Sequence, residues 1–248
     1  ILHLHGFERL DKDHGVTVLT MVFVKAFVRG MSENEDVDVS TINVYASDIK
    51  FCDACMSCIV ERQGVCSIHD DMDTILPKLV KSDVVIWAVP LMNSAVPAKL
   101  KVLIERLMPV YRPQICTDPN GRQGYGLRYN NDHIRNVLIS SGGFNTLRQN
   151  YEPGQEMFKL LYPNCDQILI PGSRVLVEDD PDVKARVSSY LRLLTKAGAE
   201  YSGLGITPAT RAGLSDPIMT ADDYVRQFNQ YVNSRPGGST NSNRKWAD

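Results

Sequence analysis

The chain has 248 residues, 43% of them hydrophobic and 23% charged, with a formal net charge of −2, a globular mix long enough to bury a sizeable core. The near-neutral balance leaves no basic footprint and excludes nucleic acid as an expected partner; no apolar run approaches the ~18 residues that span a bilayer, which excludes membrane insertion through a helix. Six cysteines, four of them crowded together, do not make a secreted disulfide scaffold and point to a reducing cytoplasm, with no secretory leader expected.

Residues 1–5 read as a short strand, ended by Gly6, and 7–15 as a polar loop. Residues 16–29 carry Val16, Val18, Leu19, Val22, Phe23, Ala26 and Phe27 at helical spacing. Residues 37–45 are β-branched and alternating, the pattern of a second strand. The crowded cysteines follow. Asp70 or Asp71 is placed to cap a helix through Ile75, Leu76 and Leu79, in which Pro77 predicts a late start or a kink. The continuous apolar run 84–89 predicts a strand buried on both faces, as in a parallel sheet. Residues 97–107 read as a helix with Pro97 in its first turn. Residues 110–131, rich in Tyr, Arg, Gly and Pro, read as a long loop of the functional kind, with Tyr125 and Tyr129 as candidate gates. A strand centres on residues 137–139, and 149–161 read as a helix. Residues 167–170 make a last strand, and 181–197 a long helix. Thr220 opens a final helix through Tyr224, Phe228 and Tyr231, with a loose capping box. The Gly/Ser/Asn-rich stretch 235–248 is expected to be a flexible tail.

Five strands alternating with helices predict one α/β domain over residues 1–234, a parallel sheet with helices on both faces. In such sheets ligands bind beyond the carboxyl ends of the strands. The loops 6–17, 52–66, 90–96 and 140–144 are therefore the ones expected to line a site.

Each of those loops has its own chemistry. Cys52, Cys55, Cys58 and Cys66 are spaced C-x2-C-x2-C-x7-C. Three thiols at that interval wrap a compact centre and a fourth closes it, which suits an iron–sulfur cluster or tetrahedral zinc; a redox or thiol role and inert burial of the thiols are the alternatives. In the first loop, Gly6, Arg9 and Thr17 precede a helix whose free N–H groups attract a phosphate. The third loop follows Pro90, and Leu91, Met92, Asn93 and Ser94 offer it backbone N–H groups, an amide and a hydroxyl. Those donors match a planar polar ring such as the pyrimidine edge of a flavin. Ser141, Gly142 and Gly143 approach the same place from the next strand. His69, beside the thiols, reads as a solvated residue at a helix start.

The run from Cys52 through Asp70-Asp71-Met72, then 90–101, resembles the flavodoxin-like NAD(P)H-dependent FMN reductases, and within them the iron–sulfur flavoproteins and multimeric flavodoxins. The resemblance continues through Ala197-Gly198-Ala199-Glu200, Asp216-Pro217-Ile218-Met219-Thr220 and Tyr224. It implies a flavodoxin-like five-stranded parallel sheet of order 2-1-3-4-5, one FMN per protomer, NAD(P)H as co-substrate, and a homodimer or homotetramer. It implies that Gly6 and Thr17 belong to the phosphate loop, that Leu91 to Ser94 border the flavin, and that Ser141, Gly142, Gly143 and Phe144 flank it. It also implies a 4Fe-4S cluster on Cys52, Cys55, Cys58 and Cys66. The acceptor of the electrons is expected to be a quinone, another flavin or a protein. One departure stands out: the first loop is longer than the family's and carries acids, Glu8 and Asp11 among them, near the expected phosphate. That departure keeps open a flavodoxin-like binding protein that has lost FMN, beside an electron carrier or redox sensor.

Overall fold

The computed structural model describes residues 1–5, 19–33, 36–119, 121–129 and 133–234. Among these residues, seven strands run in chain order: β1 (Leu2–His5), β2 (Ser40–Asn43), β3 (Val84–Pro90), β4 (Tyr111–Thr117), β5 (Gln123–Leu127), β6 (Arg135–Ser141) and β7 (Asp166–Ile170). Eight α-helices join them: α1 (Leu19–Met31), α2 (Ser57–Val60), α3 (Met72–Val80), α4 (Ala98–Glu105), α5 (Glu152–Leu161), α6 (Pro181–Ser202), α7 (Pro208–Ser215) and α8 (Ala221–Asn233). The main sheet has the order β2-β1-β3-β6-β7, with every neighbouring pair parallel.

The unbroken apolar run of β3 is explained by two cores. Val84, Ile86 and Ala88 face one, with α1 and α6; Val85, Trp87 and Val89 face the other, with α3, α4 and α5. A strand covered on both faces has no polar side to alternate with. Trp87 meets Phe158 edge-on, centroids 5.7 Å apart, and its indole N–H donates to Asn136 Oδ1 at 2.9 Å. On the first face α1 and α6 cross closely because two glycines meet there. A Cβ at Gly30 would fall 1.7 Å from the Thr195 carbonyl oxygen, and one at Gly198 only 1.9 Å from that of Phe27.

Three local expectations change. Within the stretch expected to be a long loop, β4 and β5 pair antiparallel as a separate hairpin. α3 starts directly after Asp71 and runs through Pro77, with Met72 N–H donating to Asp70 Oδ1 at 2.9 Å in place of a delayed start. α7 is an element that the apolar spacing did not announce. The caps of α6 and α8 are local and strong: Asp180 accepts from the N–H groups of Asp182 and Val183, and Thr220 from that of Asp223. Among the described residues no helix is long and apolar enough to cross a membrane.

Candidate functional site

At the carboxyl edge of the sheet, β3 and β6 end side by side, Pro90 opposite Ser141. Leu91 N–H then donates to the Ser141 carbonyl at 2.7 Å, carrying the pairing one residue past the strand. The chain reverses at once. Met92 and Ala95 exchange both backbone hydrogen bonds, each at 3.0 Å, around Asn93 and Ser94, whose φ angles are +47° and +62°. Two consecutive positive φ angles mark a turn of type I′. Asn tolerates that region; Ser does so at a cost of about 1–2 kcal/mol. The turn leaves Met92 and Asn93 exposed at the strand tip. Strained backbone of this kind gathers at ligand clamps.

The loop after β6 is fixed from several sides. Gly142 N–H donates to the Ile170 carbonyl at 3.2 Å, and its own carbonyl accepts from Ser173 N–H at 2.9 Å and Ser173 Oγ at 3.1 Å. The Tyr224 hydroxyl donates to the Gly143 carbonyl, and Gly172 N–H to that of Phe144. Gly142 has no room for a side chain, since a Cβ would lie 2.7 Å from the Tyr151 hydroxyl. That hydroxyl donates to the Ile170 carbonyl and is buried, which pushes its pKa far above the phenol range. The result is a rigid loop with Phe144 69% exposed at its tip. Ser141 is buried and its Oγ meets Thr20 Oγ1 at 2.6 Å, tying the first turn of α1 to this edge. Thr20 was not singled out from the sequence; its only signal is a hydroxyl on the sheet-facing side of an amphipathic helix.

The thiol loop leaves β2 and returns to α3. Ala54 and Met56 take positive φ, 52° and 59°, and curl the chain into the short helix α2. Gly64, at φ +98°, brings the arm back so that its N–H donates to the Cys58 carbonyl at 2.6 Å. Cys58 is buried, and its thiol is pushed up by that burial first, then by the charges of Cys66, Cys55 and Cys52. Cys55 is exposed and held below the ordinary thiol value by Ser57 N–H first and the Ser67 hydroxyl next. The four thiols are thus electrostatic neighbours. Among the described residues, though, no three His, Cys, Asp or Glu side chains converge on a single-ion site. That removes the support for tetrahedral zinc. The same finding gives an iron–sulfur cluster on these thiols no geometric support.

The neck of this loop is closed by a buried ion pair. Arg106 Nη1 lies 2.6 Å from Asp70 Oδ2, with the two side chains 1% and 0% exposed. Asp70 also accepts from Lys50 N–H at 2.9 Å. Burial works against the charge of Asp70, but Arg106, then the N–H groups of Lys50 and Met72, hold its carboxyl below the usual range. Sequence spacing gave Arg106 no special mark.

The described structure therefore brings Pro90, Leu91, Met92, Asn93 and Ser94 together with Ser141, Gly142, Gly143 and Phe144 at one edge, while Cys52, Cys55, Cys58 and Cys66 share one loop. Gly6, Arg9 and Thr17, with Glu8 and Asp11, lie outside the described residues. His69 is solvated and its Nδ1 pairs with Asp73 at 3.0 Å. Tyr125 stands elsewhere: it lines a cleft of about 920 Å³ at the amino end of the sheet, with Trp87, Tyr111, Asn136 and Tyr162. That cleft is the wrong end of a parallel sheet for the site described above.

A family model described as flavodoxin-like fold matches residues 17–169, more than half of the chain. The chain belongs to the flavodoxin-like family. An iron–sulfur flavoprotein of Archaeoglobus fulgidus is 32% identical over 84 residues, 34% of this chain and 37% of that protein. A second, from Methanocaldococcus jannaschii, is 30% identical over 91 residues, 37% of this chain and 46% of that protein. The match thus spans less than half the length of these relatives. Among solved structures, the FMN-dependent NADH-azoreductase from Bacillus anthracis in complex with FMN superposes with a TM-score of 0.58 at 18% identity, over 82% of this chain and 98% of that one. The NAD(P)H:quinone oxidoreductase from Methanothermobacter marburgensis gives 0.55 at 14% identity, over 80% and 96%. At such identities the likeness is one of fold.

Proposed function

We propose that this flavodoxin-like protein is an FMN-dependent oxidoreductase that takes electrons from NAD(P)H and passes them to a quinone, a flavin or a protein acceptor. One observation carries this reading: the strained turn after β3 and the pinned loop after β6 stand side by side, presenting Met92, Asn93 and Phe144 at the carboxyl edge. The residues fit a flat ring. The Asn93 amide and the N–H groups of Asn93 and Ser94 would serve a rim where reduced flavin gains negative charge, and Met92 and Phe144 are exposed apolar surfaces that would suit a ring face. Bound FMN would supply the hydride and electron chemistry; the chain holds, orients and shields it. Gly6, Arg9 and Thr17 are the residues proposed for its phosphate. Cys52, Cys55, Cys58 and Cys66 are proposed to hold a 4Fe-4S cluster, which would store single electrons beside the flavin.

The exposed apolar residues of the hairpin, Ile115, Tyr125 and Leu127, support a homodimer or homotetramer, because an isolated two-stranded ribbon is marginal in water. The clustered spacing of four of the six cysteines supports a reducing cytoplasm. The reaction is tested by adding NADH or NADPH to the FMN-loaded protein with a soluble quinone, anaerobically. Steady oxidation of the nucleotide, dependent on the quinone, is the expected result. FMN retention with no nucleotide oxidation would leave an electron carrier, and failure to bind FMN a binding protein of another kind.

A further inference from the structure

The cleft of about 920 Å³ at the amino end of the sheet lies between the sheet and the hairpin of β4 and β5. Its volume is that of a small-molecule site, roughly 300–1,000 Å³. On β6 it reaches Asn136, five residues before Ser141, so it stands about 16 Å from the carboxyl edge. Its walls are aromatic: Tyr111 and Tyr125 come from the hairpin and Tyr162 from the segment after α5. The Trp87 ring lies against Tyr162, centroids 5.2 Å apart. Arg122 Nη1 donates to the Leu160 carbonyl at 2.5 Å, and both residues line the cleft. The hairpin is thus tied to the end of α5, and the hollow between them is fixed.

Three hydrogen-bond donors on these walls have nothing to donate to. The hydroxyls of Tyr111 and Tyr162 make no hydrogen bond among the described residues. Burial raises both phenols above their ordinary value, so they remain O–H donors. The Asn136 amide is oriented by Trp87, whose indole N–H donates to Oδ1 at 2.9 Å, and that leaves Nδ2 unused. None of the three atoms is sealed in the core. The charges on the walls do not cancel. Arg122 and Arg135 stand with Asp118 and Asp166, but Asp166 already has Arg211 as an ion-pair partner outside the cleft. Flat aromatic walls suit a ring, unused donors suit oxygen acceptors, and a positive balance suits an anion.

We propose that this cleft binds a planar aromatic carboxylate, its ring among Tyr111, Tyr125 and Tyr162 and its oxygens on the two hydroxyls and Asn136 Nδ2. Reacting atoms must come within about 3.5 Å, so a ligand here is not in contact with a ring at the carboxyl edge. It occupies a second site, and the inference stands apart from the FMN reading.

The probe is 2-naphthoate, titrated into the whole chain at neutral pH by isothermal titration calorimetry, with and without FMN. Wild type is compared with Tyr111→Phe/Tyr162→Phe, which keeps both rings and removes two donors. The expected result is saturation at one naphthoate per chain, unchanged by FMN and weakened about tenfold or more in the double variant. Because those hydroxyls bond to nothing in the protein, the double variant should melt no lower than wild type. Tyr162→Phe alone, with a weakening of about threefold or more, covers a double variant that does not fold. Equal affinity in wild type and variant overturns the proposal, and so does displacement of naphthoate by FMN. An absence of saturable heat at millimolar probe overturns it too; if sedimentation velocity then shows an oligomer that Leu127→Lys separates, the cleft belongs to a second copy of this chain. Naphthoate bound as expected by a protein that takes up no FMN supports the cleft site and removes the FMN reading alone.

Discussion

Asp70 and Arg106 carry opposite charges where water does not reach, so each is worth more as a partner than alone. Asp70→Ala leaves a buried guanidinium uncompensated and should cost about 3–5 kcal/mol in urea unfolding of the metal-free protein. The pair also sets an acid limit. The folded carboxyl of Asp70 is lowered from its ordinary value of 3.8, so its stabilisation is complete above that value and is lost as the pH falls through the lower, folded one. Wild type should therefore lose stability more steeply than Asp70→Asn below about pH 4, measured by denaturant midpoints across the acid range. A second residue, Ser94, holds a left-handed conformation at φ +62°. Ser94→Gly relieves it and should stabilise the metal-free, flavin-free protein by about 1 kcal/mol. If the turn is built for a ligand, the same change weakens FMN binding through the lost hydroxyl and the freer backbone. The thiols should differ as well: in metal-free protein at neutral pH, Cys55, held down by Ser57 and Ser67, should be alkylated before the buried Cys58. Peptide mapping by mass spectrometry reads that order.

At the scale of elements, the contact between α1 and α6 depends on two residues that have no side chain. Gly198→Val would drive a branched side chain into the Phe27 carbonyl, which a Cβ alone already meets at 1.9 Å. The helices must separate, and the loss should exceed the 1–3 kcal/mol of ordinary overpacking, at roughly 3 kcal/mol or more; thermal melting checks it. This crossing was not legible, because a glycine pair in two helices far apart in sequence carries no pattern of its own. The run 84–89 was legible, because a strand between two cores needs apolar residues at every position and nothing else in the chain reads that way. The hairpin was not. Nearly every residue of β4 and β5 is exposed, so neither shows the inside–outside alternation that marks a half-buried strand. Arg106 escaped for a related reason. It looks like the end of an amphipathic helix, and its partner Asp70 lies 36 residues earlier; only the fold shows that both are buried. The turn at Asn93 and Ser94 was placed correctly from the strand end at Pro90, but its left-handed backbone has no signature, since Ser is an ordinary residue there.

Over the whole molecule, the parallel sheet sends the turn after β3 and the loop after β6 to one edge, while the large cleft lies at the other. That asymmetry follows from the crossover helices: each strand leaves the sheet at its carboxyl end, so loops with free backbone groups collect there. The described part of the edge is held by its own hydrogen bonds: the turn by the Met92–Ala95 pair, and the loop after β6 by Gly142, Ser173 and Tyr224. Binding to a surface already ordered loses little conformational entropy. The measurement that bears most directly on this account is an anaerobic titration of flavin-free protein with FMN, followed by flavin fluorescence and by the absorbance of the protein fraction after ultrafiltration. The account predicts saturation at one FMN per chain, with quenched fluorescence and a yellow retained fraction; FMN that stays fully fluorescent and passes through the filter at micromolar protein would contradict it.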